Sequence, residues 1–141
     1  MIWRGRVHTS VSFATTGALA IALGLAVYAV ARPVRIPLVP AALHFAPAGR
    51  EPEILSSLPS ALHAFAMPLL TLACLRVVRR WHVLAACIGW VGIDIGFELA
   101  QRYRIELLPR GTFDPLDVLG VLIGASLSCA VALALIRRKA S

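Results

Sequence analysis

From Thr9 to Ala31 the chain has no aspartate, glutamate, lysine or arginine, and the same holds from Ile54 to Leu75 and from Val118 to Ile136. A hydrocarbon core of roughly 30 Å is crossed by about 20 apolar residues of helix, so each run has the length of one membrane crossing. A fourth run, from His82 to Gln101, is apolar too but holds Asp94 and Glu98. Strands of a membrane barrel are about 10 residues long with alternating polarity, and none of these runs alternates. The 141 residues are 59% hydrophobic and only 15% charged, a composition outside the range of water-soluble domains. The chain therefore reads as an all-α, polytopic membrane protein with a single domain over residues 1–141. The expected form is a four-transmembrane-helix bundle with helices at about 9–31, 54–76, 82–101 and 117–136, and outer loops at about 32–53 and 102–116.

The 14 lysines and arginines outnumber the 7 acids. They punctuate the apolar runs and form no continuous stripe with interleaved aromatics, which points to anionic lipid and excludes nucleic acid as the partner. Basic residues resist translocation, so their placement sets orientation. Arg4, Arg6, Arg76, Arg79, Arg80, Arg137, Arg138 and Lys139 fall on one side with no acid among them. The other side holds Arg32, Arg35, Arg50, Arg102, Arg104 and Arg110 together with Glu51, Glu53, Glu106 and Asp114. Both termini are accordingly expected in the cytoplasm. Ala29-Val30-Ala31 has the form of a signal-peptide cleavage site, but the preceding apolar run is longer than a typical signal and reads as an uncleaved first helix.

Lipid tails are as apolar as leucine, so membrane helices associate through close contact of small residues and through polar contacts. Gly17, Ala20 and Gly24 share a face of the first helix, Gly89, Gly92 and Gly96 line the third, and Gly120, Gly124 and Ser128 repeat along the fourth. All three stripes are expected to pack within the bundle, with a homodimer seam as the alternative to a monomer. Pro68 is expected to kink the second helix. Cys74, Cys87 and Cys129 lie in apolar runs without zinc spacing, so neither metal nor cofactor is expected.

Charged residues inside a span are costly and mark sites or ion pairs. Asp94, Glu98 and Gln101 are spaced by four and three residues, which puts them on one face of the third helix. His63 in the second helix has about the depth of Asp94, and Asp117 opens the fourth helix, where a carboxylate caps free amides. Between the third and fourth helices Arg110, followed by Gly111, stands as the cation to neutralise Glu98 and Asp117. The expected ligand-binding set is His63, Asp94, Glu98, Gln101, Arg110, Asp114 and Asp117, with His63, Glu98 and Asp117 as candidates for any catalytic role.

The ordered elements His63-Ala64-Phe65, Glu98-Leu99-Ala100-Gln101, Arg110, Phe113-Asp114, Asp117 and Gly124 resemble the VanZ-like family of small bacterial membrane proteins. The resemblance covers about residues 55–130 and departs from the family pattern at Pro59-Ser60 and at Gly120. It implies a multi-pass protein of the bacterial inner membrane with a cell-envelope role. The family's founding case lowers glycopeptide (teicoplanin) sensitivity, an antibiotic-resistance phenotype. By that analogy, the His/Asp/Glu/Arg cluster near the outer face would bind or shield a polar or lipid-linked headgroup, such as a lipid-linked cell-wall precursor. No complete nucleophile triad, phosphate loop or metal set is present, which favours a non-enzymatic role. The first alternative is an intramembrane enzyme on a lipid-linked substrate with His63 and Glu98 as acid and base. The second is a proton-coupled transporter using Asp94 and Glu98.

Overall fold

A computed structural model of the chain describes residues 4–31, 53–75, 78–103 and 113–138. They form four helices, α1 (Arg4–Ala31), α2 (Glu53–Ala73), α3 (Arg80–Arg102) and α4 (Pro115–Arg137), and the described residues include no strand. α1 begins at Arg4, ahead of its charge-free run, because arginine is a good helix former and extends the helix into the charged flank. α2 closes at Ala73, where Cys74 N donates to Thr71 O (3.2 Å) and Leu75 N to Leu72 O (3.1 Å), the tight turn that satisfies last-turn carbonyls. α3 starts one turn after that, its first amides served from the side: Arg79 N donates to Nδ1 of His82 at 2.9 Å.

α4 corrects one expectation. Its cap is Asp114, whose carboxylate accepts from Leu116 N at 2.9 Å with Pro115 preset at the first helical position. Asp117 lies in the first turn, one step inside, and its side chain is committed elsewhere. α2 is helical through both Pro59 and Pro68. Pro68 is fully buried against the neighbouring helices.

α1, α3 and α4 are each long and apolar enough to cross a membrane. The apolar part of α2, Ser57–Ala73, is shorter, and α2 occupies the centre, in contact with the other three. Its outer neighbours show lipid-like faces: Leu19, Leu23, Ile88, Leu122, Ile123 and Leu127 are all exposed, an apolar surface that water would not tolerate.

The glycines set the cross-section. A Cβ on Gly124 would collide with the carbonyl oxygen of Ala61, and one on Gly120 would stand 3.0 Å from Ser57 O. α2 and α4, which run in the same direction, are thus drawn backbone to backbone across one diagonal of the bundle. Gly17 admits Leu70, and Gly24 faces Leu62, so α1 lies close along α2. The stripe on α3 does the opposite of what was expected. Gly89, Gly92 and Gly96 are exposed, and a Cβ on any of them would meet nothing within 4 Å. α3 docks on α4 and α2 through its other face, burying Val83, Cys87 and Ala100.

Shortening the α2–α4 diagonal lengthens the other. α1 and α3 make the least contact of any helix pair. Toward the end of the bundle where α1 begins and α4 ends, the space between the helices is filled by an apolar cluster of Phe13, Leu69, Leu72, Val83, Cys87 and Ala132. Toward the opposite end it stays open.

Candidate functional site

That open stretch is a cleft of about 450 Å³. α1 contributes Ile21, Gly24, Leu25 and Tyr28 to one wall and α3 contributes Asp94, Phe97 and Glu98 to the other, with Pro59, Ser60 and His63 of α2 and Val121 of α4 as the floor. The lining is apolar over most of its area with a few converging polar groups, the composition of a ligand site.

At its centre Nδ1 of His63 lies 3.3 Å from Oδ1 of Asp94. A carboxylate on one ring nitrogen favours the tautomer with the proton there, which leaves Nε2 as the polar atom for anything entering the cleft. The Asp94 side chain is only 11% exposed whereas that of His63 is 45% exposed, so the acid is the buried support and the imidazole the accessible group. Trp90 holds the ring from a second direction, edge-on at 5.9 Å and 84°. Trp90 is itself pinned, its Nε1 donating to Thr71 Oγ1 at 2.9 Å while Thr71 donates to Met67 O at 2.9 Å. The second carboxylate oxygen of Asp94 is buried with no hydrogen-bond partner among the described residues.

One turn before His63 on α2, Ser60 Oγ donates to Oδ1 of Asp117 at 3.0 Å. Asp117 is 8% exposed and does not line the cleft; it acts through Ser60, tying the first turn of α4 to α2 beneath the floor.

The structure therefore divides the expected site residues. His63, Asp94 and Glu98 come together around one cleft, on the inward face that the four-residue spacing of the two acids requires. Gln101, one turn further on, is half-buried and not part of the lining. Asp114 is a helix cap and Asp117 a buried acceptor. Arg110 and Gly111 lie outside the described residues. Sequence reasoning missed Ser60, Trp90, Tyr28 and Phe97. Ser60 and His63, three residues apart on a helix, carried a readable signal. Trp90 and Tyr28 carried none, since an aromatic within an apolar run looks the same packed or lining.

Comparison with family models, with curated proteins and with solved structures gives no match. The described residues thus form an all-helical fold in which three helices are long and apolar enough to cross a membrane, with an amphipathic cleft between helices.

Proposed function

We propose that this chain is a VanZ-like, four-span protein of the bacterial inner membrane with a cell-envelope role, in which the cleft binds the polar head of a lipid-linked molecule near the outer face. The single observation that carries the binding role is that the His63–Asp94 pair opens onto a cavity and is not sealed in the core. A latch that merely joined helix ends would satisfy its own groups and exclude space. Here a half-exposed imidazole faces a cavity that also holds Leu25, Phe97 and Val121, so a polar head and the first part of an apolar chain are accommodated together. The distribution of arginines supports both termini in the cytoplasm, and the contact of α2 with the other three helices supports a second span there.

Binding fits better than transport, because the interior at the opposite end of the bundle is the apolar cluster of Phe13, Leu69, Leu72, Val83, Cys87 and Ala132. The acid–base reading has one observation in its favour: Asp94 orients His63 as a carboxylate orients a general base.

The test is to purify the full chain and identify the lipids that travel with it by mass spectrometry. Wild type should retain a lipid that His63→Ala loses at equal folding; identical lipid content in the two would overturn the binding role. Expression in a glycopeptide-sensitive bacterium should lower its sensitivity to teicoplanin, and an unchanged response would remove the resistance-like part of the reading. Turnover of the retained lipid by wild type and its absence in His63→Gln would favour the enzyme.

A further inference from the structure

We infer that the cleft takes a long-chain lipid whose head is small, uncharged and hydroxyl-bearing, and that this lipid enters sideways from the bilayer between α1 and α3. The inference rests on the binding role proposed above and names the ligand class for the same site.

Access comes first. The two walls of the cleft belong to α1 and α3, the helix pair with the least contact, and two of the side chains lining it, Leu25 and Phe97, are 56% and 47% exposed. Between two membrane spans, exposed leucine and phenylalanine face acyl chains. A molecule dissolved in the bilayer therefore meets the opening directly, with its chain against those two residues.

Depth narrows the head. With 1.5 Å of rise per residue, Ile21 and His63 lie about 15 Å and Asp94 about 12 Å from the nearest ends of their helices, while Tyr28 and Glu98 lie about 5 to 6 Å from theirs. The polar floor thus lies below the headgroup level, in the outer half of a hydrocarbon core roughly 30 Å thick. A phosphate or ammonium would have to shed its water to arrive there, whereas a hydroxyl loses little and regains it with one hydrogen bond.

Charge narrows it further. The ionisable groups lining the cleft are His63, Asp94 and Glu98, with no lysine or arginine among the described lining residues. The carboxylates are acceptors, and the imidazole presents Nε2 as an acceptor when its Nδ1 proton is turned to Asp94. Asp94 adds an oxygen that the described residues leave without a donor. That Asp94 oxygen favours a donor over an anionic head; a neutral hydroxyl supplies one without carrying a charge to that depth. Isoprenoid quinols, polyprenols and diacylglycerols share this chemistry.

The experiment is native mass spectrometry of the full-length protein in detergent, offered in turn a ubiquinol, a polyprenol, a diacylglycerol, phosphatidylglycerol and phosphatidylethanolamine. At least one hydroxyl-headed lipid should be retained above both phospholipids. His63→Ala should cut that retention about tenfold, the equivalent of one hydrogen bond to the head. Leu25→Trp, at an exposed position outside the core, should cut it by filling the mouth without affecting folding. The hydroxyl lipid that is retained identifies the source. Preferential, His63-dependent retention of phosphatidylglycerol or phosphatidylethanolamine would overturn the uncharged head while leaving the binding role intact. Undiminished retention in Leu25→Trp would overturn entry between α1 and α3. Retention of none of the five by wild type would overturn the inference, and the co-purified lipids of wild type and His63→Ala then decide the binding role separately.

Discussion

Two aspartates three residues apart show how position in a helix turn divides labour. Asp114 precedes α4 with an extended backbone and accepts from Leu116 N, whereas Asp117 points across to Ser60. Neither lines the cleft, in contrast to the expectation that both belong to the ligand-binding set. Their loss should therefore read out in stability ahead of binding. Asp114→Ala is expected to cost about 1 kcal/mol, the usual value of a lost cap. Ser60→Ala strips a donor from a buried carboxylate and is expected to cost about 1 to 3 kcal/mol, because Asp117 cannot recover that bond from water. Thermal unfolding of the purified variants in one detergent checks both; a Ser60→Ala protein as stable as wild type would show that the hydroxyl is dispensable to the α2–α4 contact.

The helices differ in what their glycines do. On α4 the missing side chain lets Ala61 and Ser57 of α2 approach, and on α3 it meets open space. Gly124→Ala should therefore force α2 and α4 apart and destabilise the bundle by about 1 to 3 kcal/mol, as overpacking does. Gly92→Ala should be neutral or gain up to about 1 kcal/mol, since alanine restricts the unfolded chain and clashes with nothing. The same unfolding measurement separates them, and equal effects would mean that the two stripes are packed alike. Because the α2–α4 approach is what leaves α1 and α3 apart, Gly124→Ala should also lower lipid retention although it does not touch the cleft.

For the molecule as a whole, the up-and-down order of four helices gives the proposed topology a direct check. A fluorescent reporter that matures only in the cytoplasm should be bright when fused after Ser141 and dark when fused after Arg102. An exported phosphatase at the same two positions should show the reverse activities. A bright reporter at Arg102 would mean that α3 does not cross, and the cleft would then not lie near the outer face. The interior is uneven along its length, with the apolar cluster at the end where α1 begins and α4 ends and the cleft at the other. The half that holds the cleft is thus supported by a half that packs.

Much of this was readable along the chain. The four helices, their order and the inward face of Asp94 and Glu98 follow from run lengths near one bilayer thickness and from the four-residue spacing of the acids, both local properties of a helix. The depth match of His63 with Asp94 followed as well, from rise per residue in adjacent helices. Other features were not written locally. Three glycine stripes look alike in sequence, yet two are buried and one faces outward, because which helix fills the space beside a glycine depends on the neighbours' backbones. The roles of Asp114 and Asp117 depended on where α4 begins and on Ser60 standing opposite. Above all, whether the polar groups closed into a latch or lined a cavity was set by the α2–α4 diagonal: four helices can bury the same small residues along either diagonal, and that choice decides whether space remains between α1 and α3.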